Sequence, residues 1–367
     1  MIARFKKFLL LSLPIILTLN FVTHTKNFIT KKIKPEITET VDDCKKLPIF
    51  YNPNYNLADS FWGMSTLASS LHSFNPNKYK EVFTFLQNEL GLTLDKIYSD
   101  IDPVTDQQLL SVHTQAYLDS LSSTETILSI SEISHPFLAW VPLFILNSAL
   151  LIPMKYATGG TIAAAAKALE EGWAINLGGG YHHAKADNGE GFCFFADINI
   201  AINELRKTNP NLKVLIVDLD AHQGNGHEMN SNNDPLITIF DIYNERLYPH
   251  DAEAKKYITY NFPIKHRTQD QEYLAMIENE LPKAIQQSQP KLLFYVAGTD
   301  IYERDPLGCL GITKKGILRR DELVFKCALE SKIPIVMLLA GGYTKESSSI
   351  IADSIITKIL PLVGAKA

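Results

Sequence analysis

Between Trp173 and Leu339 short apolar runs alternate with stretches of helical period. The runs are Trp173-Ala-Ile-Asn-Leu177, Val214-Leu-Ile-Val217, Leu292-Leu-Phe-Tyr-Val296 and Ile335-Val-Met-Leu-Leu339. They are too short for helices and largely continuous rather than alternating, the pattern of parallel strands buried on both faces. The intervening spacing predicts helices over 161–171, stopped by Gly172, over 198–207, ending at Asn209-Pro210, over 271–287 and over 320–330. Strands alternating with helices predict an α/β fold in which a central, mainly parallel sheet carries helices on both faces. In such a sheet the ligand crevice lies at the carboxyl ends of the strands. Polar groups follow all four runs: Gly-Gly-Gly-Tyr-His-His, Asp-Leu-Asp-Ala-His, Ala-Gly-Thr-Asp and Ala-Gly-Gly-Tyr.

The chain opens on a different pattern. Arg4, Lys6 and Lys7 precede an almost unbroken apolar run from Phe8 to Val22, the layout of a secretory signal. The run is short for a bilayer and is interrupted by Pro14 and Asn20, so a removed signal peptide is expected ahead of an uncleaved anchor. No small-x-small cleavage site follows, which keeps the anchor open, and Val41-Asp42-Asp43 before Cys44 do not form a lipoprotein signal. The expected organisation is an export segment over 1–25, a linker over 26–45 and one domain over 46–367, with a periplasmic or secreted location. A second apolar stretch, Phe137 to Met154, is read as part of that domain. Pro136, Pro142 and Pro153 break it, and Asn147 and Ser148 sit inside it.

Composition narrows the function classes. At 46% hydrophobic and 20% charged, the 367 residues exclude disorder, collagen and coiled coil. The formal charge of -5, or -8 without residues 1–25, provides no basic field for a polyphosphate, so direct nucleic-acid binding is not expected. Cys44, Cys193, Cys309 and Cys327 are too far apart for a CxxC knuckle and too sparse for a disulfide framework.

Asp220 and His222, two apart at a strand end, can face one crevice because side chains alternate there with period two. Asp300 arrives from another strand end and supplies a third ligand. Two carboxylates and one imidazole with open positions suit a catalytic zinc, and the same set accepts Fe(II). Taken alone, Asp-x-Asp-x-His is as well read as a loop with capping carboxylates. The paired His182 and His183 follow three glycines, which allow a tight turn to present both rings as base and acid. Tyr343, after Gly341-Gly342, is placed as a mobile phenol able to donate to an oxyanion, or as an anchor of its turn. There is no GxGxxG, P-loop or Gly-x-Ser-x-Gly pattern.

The set Gly-Gly-Gly-Tyr181-His182-His183, Gly191-Phe192-Cys193, Asp218-Leu-Asp220-Ala-His222-Gln-Gly-Asn225-Gly, Ala-Gly-Thr-Asp300 and Ala-Gly-Gly-Tyr343 resembles the zinc-dependent histone deacetylase family. The resemblance runs from about Leu47 to the C-terminus. It is strongest to the class IV branch, through residues 218–228, 158–162, 172–176 and 320–325. It implies a single-domain, three-layer arginase/deacetylase-like fold with zinc held by Asp220, His222 and Asp300. It further implies His183 as general base and acid, His182 as its electrostatic partner near Asp218, and Tyr343 as the hydroxyl that polarises the amide carbonyl. Asp218 would help bind a structural potassium ion. Phe192 and Gly191 would line the channel that admits an acyl-lysine of a protein or peptide.

Where the wider family has an aspartate behind the second histidine, this chain has Asn225, as the class IV branch does. Asn225 orients the ring without charge, so His183 is expected to have a lowered pKa. Glu132 is a candidate for the acidic rim residue, although a solvated surface charge is the favoured reading. The expected activity is hydrolysis of acyl-lysine amides. Long-chain acyl-lysine and acetylated polyamines are the alternative substrates, and acyl-lysine binding without hydrolysis is the non-enzymatic one.

Overall fold

The computed structural model describes residues 46–57, 75–132 and 141–365. The signal and linker expectations, Cys44 and residues 137–140 of the second apolar stretch lie outside the described residues. Seven strands form one sheet: β1 (Ile49–Phe50), β2 (Trp173–Asn176), β3 (Val214–Asp218), β4 (Ile237–Asn244), β5 (Tyr260–Ile264), β6 (Leu292–Val296) and β7 (Ile335–Leu338). Their order is β1-β2-β7-β6-β3-β4-β5, and every pairing is parallel. Every residue of β2, β3, β6 and β7 is buried, which is why these four read as continuous apolar runs.

Those four strands are also consecutive in the sheet. Asp218 pairs with Val296, Val296 with Leu338, and Leu338 with Asn176, so their carboxyl ends stand level. The loops that follow them therefore open onto one crevice.

The missed strands are β1, β4 and β5. Two of them, β1 and β5, lie at the sheet edges: β1 is only two residues long, and β5 is half exposed, which weakens its apolar signal. β5 also contains Pro263, which an edge strand tolerates because one side of its backbone needs no partner. Two helices start earlier than expected. Lys314–Glu330 begins at a cap in which Thr313 accepts the Gly316 N–H. Ile152–Glu171 is preceded by a π turn, Asn147–Leu151, and by the turn Leu143–Leu146. Residues 143–171 form one continuous helical run, so Pro153 does not break the stretch as expected; the π turn Asn147–Leu151 lies just before it, where the backbone adjusts to its missing N–H. Among the described residues no helix is long and apolar enough to cross a membrane.

Beneath the crevice a fully buried Arg320 joins two of the level strand ends. Its guanidinium donates to the carbonyls of Leu219 at 3.2 Å, Gly298 at 2.5 Å and Ala297 at 3.2 Å. Asp321 pairs with it at 2.9 Å and accepts from Tyr295 and Ser354.

His113 ties a connecting segment to the same region. It is buried, and its Nε2 accepts the Ala196 N–H at 3.0 Å, which requires the neutral ring. Burial lowers its pKa from the ordinary 6.5 to about 4. The unfolded chain binds the proton first, so this stability is fully present above pH 6.5 and is lost as pH falls toward 4, a change of roughly 3 kcal/mol. Urea unfolding at a series of pH values should show that slope in the parent and a flatter one in His113→Gln, whose carbonyl can still accept. An identical slope in both would remove His113 as the cause.

Candidate active site and metal centre

Asp220, His222 and Asp300 come together as expected, all three buried, each offering one ligand atom within 4.8 Å of the others. His222 Nδ1 lies 3.1 Å from Asp220 Oδ1 and 2.9 Å from Asp300 Oδ2. Backbone donors hold the carboxylates: the Ala221 N–H reaches Asp300 Oδ1 at 2.9 Å, and the Gly341 N–H reaches Asp220 Oδ2 at 2.9 Å. Burial and the Asp220 charge push the Asp300 carboxyl up to about 7. Burial alone would lower His222, but bonds from Asp220 and Asp300 outweigh it and hold the ring at about 10. Two buried carboxylates competing for one imidazole form a site with unmet demand for positive charge. That demand, with an O, N, O donor set, fits a divalent metal.

His182 and His183 are brought side by side, ring centroids 4.0 Å apart, by a turn in which Gly179 and Gly180 have positive φ. Their partners separate them chemically. His182 Nδ1 bonds Asp218 Oδ2 at 2.8 Å; burial opposes its charge, yet Asp218 and Asp220 raise its pKa to about 9. His183 Nδ1 bonds Asn225 Oδ1 at 2.8 Å, and burial with the neighbouring imidazoles holds it well below the usual range. The bond to Asn225 acts the other way and raises it, without outweighing burial. Gly191 packs against the same ring: a Cβ there would fall 2.4 Å from His183 Cδ2.

Tyr343 joins the crevice with its ring 6.4 Å from that of His222 and 5.9 Å from that of Phe192, both edge-on. Burial and the Asp220 and Asp300 charges keep its phenol protonated well beyond the ordinary range, as a donor must be. Hydrogen bonds at Gly341 and Tyr343 tie the turn that carries it. The Gly341 carbonyl accepts from Lys78 Nζ at 2.6 Å and from the Thr299 N–H at 3.0 Å, and the Tyr343 N–H donates to Asp305 Oδ2 at 2.8 Å. Glycine is needed at 341 for close approach, since a Cβ would fall 2.5 Å from Asp220 Oδ2.

Sequence reasoning passed over Lys78, Asp305, Glu190, Lys185 and Asp251. Lys78 did carry a signal. It shares the buried stripe of helix Lys78–Leu90 with Val82 and Leu86, and a charge on such a stripe needs partners. Burial lowers its pKa to about 8, against the raising effect of Asp300, Asp220 and Asp305. Glu132, exposed and with positive φ, is close enough to His222 and Glu190 for their charges to act on its carboxyl. Cys193, Cys309 and Cys327 are free thiols.

A parallel sheet delivering a buried Asp-His-Asp cluster and a histidine pair to one crevice defines an α/β metal-site architecture of the arginase/deacetylase kind. The histone deacetylase domain matches residues 72–359, and the chain belongs to the histone deacetylase family. It is 42% identical over 310 residues to histone deacetylase 2 of Arabidopsis thaliana, covering 84% of this chain and 78% of that protein. It is 33% identical over 201 residues to histone deacetylase 1 of Homo sapiens, covering 52% of this chain and 40% of that protein. Two solved structures share the fold at 18% identity and a TM-score of 0.66. One is the HDA15 HD domain, with 87% of this chain and 90% of that chain covered. The other is an acetylpolyamine aminohydrolase from Burkholderia pseudomallei, with 86% and 99% covered. The chain is thus a hydrolase of this family.

Proposed function

We propose that the chain is a zinc-dependent deacylase of the class IV kind that hydrolyses the amide of N-ε-acyl-lysine in a protein or peptide. The observation that carries this is the Asp220-His222-Asp300 cluster with His183 and Tyr343 on its flanks. These three residues would hold the metal, zinc or Fe(II), which supplies Lewis acidity toward the acyl carbonyl and a lowered pKa for water. His183, neutral because of its burial, accepts the proton of the attacking water at Nε2 and passes it to the leaving lysine amine. His182, held by Asp218, stays charged and favours the negative charge that develops beside it. Tyr343 donates to the oxyanion. Phe192 and Gly191 line the passage for the lysine methylenes.

A potassium ion beside Asp218 belongs to the same reading. Asp241, the register partner of Asp218 on β4, is buried against the carboxyl of Glu228, and Gln223 Oε1 is buried without a partner. Burial and the charges of Asp218 and Glu228 push the Asp241 carboxyl well up, so the carboxyl pair holds a proton whose place a cation could take. An exported location is also part of the proposal and is carried by residues 1–25 alone.

The test is hydrolysis of one lysyl peptide bearing acetyl, octanoyl or myristoyl, with His183→Ala as blank. Preference for acetyl supports an ordinary deacetylase, and preference for myristoyl a long-chain deacylase. No turnover above the blank on any chain would move the activity to acetylated polyamines or leave an acyl-lysine binder. On the preferred peptide, Tyr343→Phe should lower kcat by about a hundredfold with KM little changed. Equal kcat in the two proteins would remove Tyr343 from the oxyanion.

A further inference from the structure

Glu190 directly precedes Gly191 and Phe192. It bonds the side chain of Tyr248, whose ring packs on His183, and that of Asn225, fully buried behind His183. Asn225 Nδ2 donates to Glu190 Oε1 at 2.6 Å and to Asp251 Oδ2 at 3.4 Å, while Asn225 Oδ1 faces His183 Nδ1 at 2.8 Å. Lys185 Nζ lies between the two carboxylates, 3.1 Å from Glu190 Oε1 and 2.8 Å from Asp251 Oδ2. Asp251 is itself anchored, its Oδ1 accepting the N–H groups of Glu253 at 3.1 Å and Ala254 at 3.0 Å.

The two ends of an asparagine amide are nearly the same in size and opposite in hydrogen-bonding sense, so only its partners decide which way it points. Ionised carboxylates accept and never donate. Glu190 and Asp251 thus require the NH2 end of Asn225 and turn its carbonyl toward His183. A carbonyl can only accept, so the proton of the neutral imidazole sits on Nδ1 and Nε2 is left able to take one. A reversed amide would set its carbonyl against two carboxylates. It would also present NH2 to Nδ1 and drive the imidazole proton to Nε2, where the ring is no base for water.

We propose that Glu190, with Asp251 and balanced by Lys185, is a positioning residue that orients the Asn225 amide and thereby fixes the tautomer of His183. The proposal rests on the reading of His183 as the base. It also explains why position 225 carries no charge: an aspartate there would face two carboxylates across a single lysine. The uncharged residue and the acid at 190 are two halves of one arrangement.

The experiment is reciprocal rescue in the full chain, assayed on the preferred acyl-lysyl peptide. Glu190→Ala should lower kcat roughly tenfold or more, with KM nearly unchanged, because Asn225 loses its director. Asn225→Asp alone should lower kcat through carboxylate crowding. Combining E190A with N225D should restore kcat to within about threefold of the parent, since an aspartate needs no orienting and the crowding is relieved. A merely structural role for Glu190 predicts that its loss persists in the double variant, and that result overturns the proposal, as does an unchanged kcat in E190A. An independent readout is the nitrogen-15 spectrum of histidine-labelled chain, with His183 identified by its absence in His183→Ala. The parent should show the Nδ1–H form, and E190A a mixture of tautomers; the same single form in both also overturns the proposal. Should the parent hydrolyse none of the peptides, the proposed function fails, and the spectra still decide the role of Glu190.

Discussion

Asp300→Asn is expected to lower turnover at least a thousandfold and to strip the protein of most of its divalent metal during dialysis. The cluster holds two carboxylates and one imidazole in contact, and Asp300 supplies half of the formal negative charge that a dication would meet there. An amide keeps the shape but removes that charge and one strong donor. Lewis-acid assistance is worth several kcal/mol in a hydrolytic transition state, which corresponds to a thousandfold or more in rate. The Ala221 N–H, now bonded to Asp300 Oδ1, can still find the amide oxygen, so the fold should survive. Circular dichroism checks the fold, elemental analysis of the dialysed protein checks the metal, and the peptide assay checks the rate. A variant that keeps its activity without metal, or a parent indifferent to chelation, would rule out the metal site.

Arg320→Met should destabilise the folded chain by roughly 3–5 kcal/mol, the usual cost of breaking one side of a buried ion pair. The change strands Asp321, which is 1% exposed, and removes the donors from the carbonyls of Leu219, Ala297 and Gly298. Methionine fills the volume but satisfies none of these oxygens. Leu219 lies between Asp218 and Asp220, and Gly298 is two residues before Asp300, so the loss falls on the loops that carry the cluster. Such a cost is a large share of the 5–15 kcal/mol that holds an ordinary domain together. Urea unfolding should give a much lower midpoint with a similar slope. A shift worth less than about 1 kcal/mol would show that the buried pair contributes little beyond its desolvation cost.

The buried centre of the sheet was legible in the chain because β2, β3, β6 and β7 are covered on both faces and read as unbroken apolar runs. The other three were not: β1 has only two residues, β4 carries Asp241 and Asn244 within its run, and β5 is a half-exposed edge strand that tolerates Pro263. The ligand trio and the histidine pair were legible for a related reason. Each belongs to a short motif directly after a buried strand, where the number of residues to the strand end decides what faces the crevice. The helix Lys314–Glu330 was only partly legible: its start depends on a Thr313 cap that lies well before the apolar stripe begins.

What the sequence by itself determined is therefore the α/β class, the place of the crevice and the residue types that meet in it. These follow from the hydrophobic period and from local spacing, which every strand carries within itself. Only the tertiary structure decided that four motif-bearing strands lie side by side with their ends level, since strand order is set by packing among distant segments. It also decided the partners: Lys78 against the Gly341 turn, Arg320 beneath the ligand loops, and Glu190, Asp251 and Lys185 around Asn225. Charged groups of this kind leave no period in the chain, because what stabilises each one is a donor or acceptor brought to it only by the completed fold.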